Sequence, residues 1–435
     1  MSVAVERRVA AGRFGTWIAR LGVLTLAGSV LWSCAGQAAA NDVARSSASR
    51  AGGSAAEAGQ AASALNAFGF DLYRTTASAA GNEVFSPVSI ELALAMARAG
   101  AAGATASEMD SVMHAAYGSG NGNGLNSLDQ ALAGLSGSYP NPLGSQQTVR
   151  LHVANAPFAQ RGYSLKQPYL DTLAGRFDAG LRLADFADDP TGSCKLINDW
   201  IRDQTEDRIP KLLDGLDPLT RLVLANAIYM KAPWQAAFWP EGTKDSPFTR
   251  LDGTQVTVPT MSLSLASATY ASGPGWQAAE LGYVGGSLAM TLILPDDLPT
   301  FEKKLDATLF DHITGALRHT SGELTLPRFK TETRIDLNQT LATMGMPSAF
   351  DAARADFSGI TDQERLFISK VVHQANISVD EKGTEASAAT VVVIAVATSP
   401  PDLVTFHVDR PFVFAVRDRS TGAILFLGRI VDPSA

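Results

Sequence analysis

Residues 381–398 read "EKGTEASAATVVVIAVAT". From Gly383 to Thr390 the side chains are almost all small, namely Gly383, Thr384, Ala386, Ser387, Ala388, Ala389 and Thr390, with Glu385 the one charge among them. The second half, Val391 to Val396, is strongly β-forming, and "SPPD" after it marks an extended, exposed turn. On a strand's two-residue period, Thr384, Ala386, Ala388, Thr390, Val392 and Ile394 fall on one face and Glu385, Ser387, Ala389, Val391 and Val393 on the other. The first set carries no charge, so a sheet can bury it without stranding one. From Gly383 to Ala397 an extended chain spans roughly 46 Å at about 3.3 Å per residue. That is long for one strand and predicts a loop able to convert into a central strand. Taken alone, the segment also fits a short alanine helix leading into a buried strand.

The surroundings predict a large α+β domain from about residue 61 to 435. Helical signals gather early. "AASALNAFGFDLYRTTA" places Leu65, Phe68, Leu72 and Tyr73 at helical spacing. Val84 and Phe85 form a short strand, and Ser86 and Pro87 start a helix that runs to about Arg98. "SCKLINDWIRDQTEDRIPKLLDGL" reads as an amphipathic helix with Ile197, Trp200 and Ile201 on one side, broken at Pro210. The Gly/Ser/Asn-rich stretch 116–126 reads as a flexible surface loop. Residues 148–160 alternate as a strand does. The second half is strand-rich: 221–234, 286–295, 322–334 and the run around His373 are β-formers bounded by turn signals. "DLNQTLATMGM" is a helix, and the chain closes on a hairpin turning at "RDRSTG". Without a βαβ rhythm, this pattern implies large, mainly antiparallel sheets beside a helical cluster.

Composition sets the outer limits. Of 435 residues, 46% are apolar and 18% charged, enough for a substantial core. With 43 acidic against 35 basic side chains, the net charge of -8 argues against nucleic acid and anionic glycans as partners. Arg7, Arg8, Arg13 and Arg20 flank the apolar run Leu21 to Trp32, which is too short to span a bilayer. Residues 1–40 therefore read as an export signal. Its end, "LWSC", resembles a bacterial lipobox with Cys34 as the lipidated residue, although Trp32 departs from the small residue preferred there. The competing reading is cleavage after the small-residue run ending at Ala40. Residues 41–60 hold almost no large apolar side chain and read as a flexible tether. With Cys34 used for a lipid, Cys194 is left without an intramolecular partner.

The chemistry of an enzyme is not visible. The six histidines lie in no HExxH arrangement, and there is no nucleophile elbow, phosphate loop or dinucleotide fingerprint. His373 lies among Val371, Val372, Ile377 and Val379 and reads as a core histidine held by hydrogen bonds. No cofactor or metal is expected.

From about Ala61 to Pro433 the chain resembles the serpin family of serine protease inhibitors. "NEVFSPVSI" (82–90), "GAAGATASEM" (100–109), "LANAIYMKAPWQAAF" (224–238), "LPRFK" (326–330), "MGMPSAF" (344–350), "ADFSGI" (355–360), "VVHQANISVDEKGTEASAAT" (371–390) and the closing hairpin follow the family's motifs in order. Met230, Ala232, Gln374, Lys382 and Ser387 are mild departures. The resemblance implies that 381–401 is a reactive loop whose hinge, Glu381 and Gly383 to Thr390, inserts into the main sheet after cleavage. It implies that Ser86, Ser89, Asn226 and His373 line the point where that sheet opens, with Trp234 and Glu381 near its top. Counting 15 residues inclusively from Gly383 puts the reactive bond between Ala397 and Thr398. The small Ala397 suits a shallow apolar pocket, so elastase-like or subtilisin-like serine proteases are the implied targets, and trypsin-like ones poor. The implied protein is an exported, bacterial-type monomer that traps its protease as a suicide substrate and is not itself an enzyme. If Cys34 is lipidated, the following Ala35 favours an outer-membrane site. The alternative is a non-inhibitory member acting in binding or structure.

Overall fold

Ser86 closes the strand Glu83–Phe85 and caps the helix Pro87–Arg98, its hydroxyl accepting from Ser89 N at 3.2 Å. Proline at the first helical position costs no hydrogen bond there. All 12 residues of this helix are buried, so the other elements assemble around it. The structure, a computed structural model, describes residues 42–77, 81–115, 122–141, 144–384 and 403–435. The signal segment with Cys34, the hinge residues Glu385, Ala386, Ser387, Ala388, Ala389 and Thr390, and the bond Ala397–Thr398 lie outside the described residues.

Three sheets form the frame, and the α+β expectation holds. The largest has the strand order Val43–Ala44, Leu181–Ala184, Gln146–Gln160, Leu222–Pro233, Gly383–Thr384, Ile368–Asp380, Phe329–Asp336, with Gly137–Pro140 paired to the 146–160 strand. A second, seven-stranded sheet is centred on Leu288–Pro295 and the closing hairpin Phe412–Asp418 with Ile424–Ile430. A third places Val404–His407, Gly322–Pro327, Gln255–Ser264 and Lys244–Thr249 side by side. The main core fills the space between the sheets and the helices Ala55–Thr76 and Pro87–Arg98. A smaller core forms where Ile197, Trp200 and Ile201 of the helix Pro190–Gln204 pack on Val223, Ala225, Ala227 and Val372 of the large sheet.

Four sequence expectations are corrected. Residues 42–60 are not a loose tether. Val43 and Ala44 pair with Arg182 and Leu181, Arg50 donates to Asn126 (2.8 Å) and Asp129 (2.5 Å), and the first helix starts at Ala55. Counting apolar side chains missed this, because backbone pairing and ion pairs hold the segment. Residues 122–126 belong to the helix Gly122–Ala133, anchored by Leu125, Leu128 and Leu132, all at or below 1% exposure. The helix expected to reach Pro210 stops at Gln204, since Glu206 and Asp207 turn left-handed at φ 50° and 61°. The run 322–334 is two strands in different sheets, divided between Pro327 and Phe329. The described residues from Asp42 onward cluster as one compact unit.

Candidate functional site: an unfilled seam in the large sheet

The strands Leu222–Pro233 and Ile368–Asp380 run parallel and pair directly from Ile368↔Leu222 to Ala375↔Ile228. Above that point they diverge. Gly383–Thr384 enters the gap, antiparallel to both: Thr384 opposes Ala232 on one side and Val379 on the other. A parallel pair is slightly less stable per residue than an antiparallel one. The seam below Thr384 is thus the place where an added antiparallel strand improves the sheet.

The top of the seam is tightly specified. Trp234 stacks on Tyr283 with ring centroids 4.4 Å apart, and its indole donates to Asp380 O at 2.9 Å. Tyr283 Oη lies 2.6 Å from Thr384 Oγ1, and burial pushes the phenol well above its usual pKa. The backbone N–H groups of Trp234 and Phe238 donate to Lys382 O and Glu381 O, both at 2.9 Å. The Glu381 carboxylate is gripped by Arg328, with Nη2–Oε1 at 2.6 Å, and accepts from Thr243. Burial pushes this carboxyl up, but Arg328 and Thr243 outweigh it and hold it below the ordinary range. Gly383 has φ 151°, and a Cβ there would sit 2.2 Å from Ala232 O and 2.7 Å from Pro233 Cα. Only glycine fits.

Halfway down, a polar cluster ties the two strands together. His373 is opposite Asn226 in the register. Its Nε2 accepts from Ser86 N at 2.9 Å, which leaves the ring proton on Nδ1 to donate to Asn226 Oδ1. The ring is fully buried, and desolvation pulls its pKa down to about 3, so it is neutral in ordinary conditions. Asn155, turned with its amide nitrogen toward Ser89, donates to Ser89 Oγ, and Ser89 donates to Ala227 O at 3.3 Å. The amide nitrogen of Asn226 is buried without a partner, a cost of about 1–3 kcal/mol in the closed seam.

Ser86, Ser89, Asn226 and His373 thus meet at the seam's midpoint, and Trp234, Glu381, Gly383 and Thr384 at its top. Arg328, Tyr283, Thr243, Phe238 and Asn155 also belong to the site and were not singled out. Arg328 stands inside "LPRFK", but its partner Glu381 is 53 residues away, which no local pattern reveals. The next described residue after Thr384 is Leu403, from which the chain enters the third sheet as the edge strand Val404–His407.

Two residues seated between strands that pair directly below them, within three sheets of this topology, set the class of fold. Comparison with known proteins supplies the family. The profile "Serpin (serine protease inhibitor)" matches residues 63–433. An uncharacterized serpin-like protein of Thermococcus kodakarensis is 39% identical over 378 residues, 85% of each chain. The leukocyte elastase inhibitor of Bos taurus is 36% identical over 389 residues, covering 86% of this chain and 100% of that protein. Among solved structures, the thermophilic serpin tengpin in its native state superposes with a TM-score of 0.79 at 26% identity, over 90% of this chain and 99% of tengpin. Native protease nexin-1 with heparin gives 0.74 at 28% identity, over 86% and 100%. The chain belongs to the serpin family, and with it to protease inhibitors that bind serine proteases, not to enzymes.

Proposed function

We propose that this serpin is an exported, monomeric, bacterial-type suicide inhibitor of elastase-like or subtilisin-like serine proteases. The protease serine attacks the carbonyl carbon of Ala397. The bond to Thr398 breaks, its nitrogen takes the proton, and the freed loop inserts before water can release the ester.

One observation carries this reading: Thr384 is seated between the two seam strands in a defined register. Continued antiparallel, that register sets Ala386 against Met230, Ala388 against Ile228, Val392 against Leu224 and Ile394 against Leu222. Thr390 then arrives between Asn226 and His373, where its hydroxyl meets the unpartnered Asn226 amide. Each side chain facing the main core is small or β-branched and uncharged. Burying Val392 and Ile394 contributes about 1.5–3 kcal/mol each, and two antiparallel ladders replace one parallel pairing. The native fold is thereby a trapped state with its minimum elsewhere. The leukocyte elastase inhibitors among its relatives accord with the apolar, uncharged side chains of Ala395, Val396 and Ala397.

For export, the reading rests on the apolar segment ending at Cys34. Among the described residues no helix is long and apolar enough to cross a membrane. An outer-membrane lipoprotein is favoured over free secretion.

The test is incubation with a panel of serine proteases, followed by denaturing electrophoresis and mass analysis. A complex that survives denaturation with an elastase or subtilisin, together with a released fragment starting at Thr398, is the expected result. A fragment starting at Ala397 shifts the bond by one residue. Rapid trapping of a trypsin-like enzyme defeats the specificity assignment, and cleavage without a stable complex defeats the inhibitory one and favours a non-inhibitory member.

A further inference from the structure

Five large apolar side chains are exposed among the described residues: Val43, Leu219, Trp239, Leu251 and Leu403. Two of them stand at the two ends of the reactive loop. Leu403, 59% exposed, is the first described residue after the loop and leads into the edge strand Val404–His407. Trp239, 68% exposed, follows Phe238, whose N–H donates to Glu381 O at the loop's stem. Phe238 and Trp234 are each 2% exposed, so their rings serve the core. The Trp239 ring is the large aromatic surface left to solvent at that rim.

We propose that Trp239 is a docking contact for the captured protease, outside the reactive bond, with Leu403 marking the far side of the same footprint. This rests on the inhibitory reading above. Trp239 precedes Lys244–Thr249 at one edge of the third sheet, and Leu403 precedes Val404–His407 at the other. Lys244 lies in the row of Pro327 and Val404 in the row of Gly322, so the two strand starts are three strands across and five residues along from each other, roughly 22 Å. A standard interface covers about 800 Å² per partner, a disc roughly 32 Å wide. A footprint of that width reaches from one strand start to the other. Glu241, Lys244 and Asp245, close after Trp239 in the chain, and Lys382, next to the Glu381 that pairs with Phe238, are all exposed and charged, as suits an aromatic anchor within a polar rim. The partner surface it fits is an apolar depression beside the protease cleft, so Trp239 adds to selection among proteases that accept Ala397 equally well.

The test compares Trp239→Ala and Trp239→Tyr with the wild type against an elastase and a subtilisin. Three quantities are measured: the second-order rate constant of complex formation, the moles of inhibitor consumed per mole of protease, and the thermal midpoint. Trp239→Ala should slow complex formation with the preferred protease about tenfold or more, and Trp239→Tyr only slightly. Stoichiometry and melting should stay unchanged, because the ring supports neither insertion nor the core. An unchanged rate in Trp239→Ala overturns the proposal. A raised stoichiometry overturns it by moving Trp239 to the insertion step, and a wild-type dimer that Trp239→Ala dissociates assigns the ring to a second copy. A wild type that forms no stable complex with any protease fails at the earlier step and removes the inhibitory reading itself.

Discussion

Replacing Thr384 with arginine tests the insertion mechanism at its first step. Thr384 is 1% exposed, packed between Ala232 and Val379, with its hydroxyl 2.6 Å from Tyr283 Oη. The Glu381 carboxylate is already held by Arg328 and Thr243, and the Asp380 carboxylate accepts from the backbone N–H groups of Lys382 and Gly383. A guanidinium at this point has no counter-charge, and an uncompensated buried charge costs about 3–5 kcal/mol. If the barrier to insertion feels about 4 kcal/mol, the step slows about a thousandfold, at tenfold per 1.4 kcal/mol. If it feels half, the slowing is about thirtyfold. Hydrolysis of the acyl-enzyme is untouched, so the partition swings toward release. An inhibitor that loses about one copy in twenty becomes one that loses from about two to about fifty per protease trapped. The assay titrates a fixed amount of protease with wild type, Thr384→Arg and Thr384→Val and reads residual activity. Thr384→Val keeps the shape and loses only the hydrogen bond to Tyr283, about 0.5–1.5 kcal/mol, so its stoichiometry should remain near one. Cleavage at the same bond at the wild-type rate shows that recognition survives in the arginine variant. A stoichiometry near one for Thr384→Arg refutes the reasoning.

Gly383→Ala places a methyl group against backbone that cannot yield, 2.2 Å from Ala232 O. It should expel the hinge and raise both loop nicking by non-target proteases and the inhibitor stoichiometry. His373 stays neutral in the folded protein down to about pH 3, against 6.5 for the free side chain. Between those values the unfolded chain binds more protons, so stability falls as pH drops from 6.5 toward 3. The advantage of wild type over His373→Asn should therefore shrink by about 2 kcal/mol between pH 6.5 and 5, read from denaturant unfolding at each pH. Cutting the loop with a non-target protease should raise the thermal midpoint by about 10 °C or more, because the strand then completes the sheet; an unchanged midpoint contradicts insertion. Cys34→Ala should release the protein from the membrane fraction, and persistent membrane attachment rules out the lipid assignment.

Much of the site was legible because its parts are local. Ser86 and Pro87 announce a capped helix in two residues, and the alternation from Thr384 to Ile394 announces which face a strand would bury. His373 was readable as a hydrogen-bonded core residue because apolar strand residues surround it in the chain. What escaped depends on distant partners. Pro327 and Arg328 divide a continuous β-forming run because Leu326 pairs with Met261 while Phe329 pairs with Val379. The 42–54 segment looked structureless because its small side chains bury little, yet Arg50 meets Asp129 from 79 residues away. Composition measures what a segment can bury by itself, not what a neighbouring edge can offer it.

The edge pairing of Val43 with Arg182 also fixes an orientation. Arg182 opposes Phe158, and Phe158 opposes Val223, so the chain joins the large sheet in the row of Val223. The hinge enters in the row of Pro233, ten residues along the same strand and about 33 Å away at 3.3 Å per residue. The N-terminal strand and the hinge therefore join the sheet near its opposite ends. If Cys34 is lipidated as proposed, only eight residues separate the anchor from Asp42, and the restraint acts on the sheet near the Val223 row, away from the hinge. Insertion along the seam would then carry a captured protease from the Pro233 row toward the Val223 row, the end at which the N-terminal strand joins the sheet.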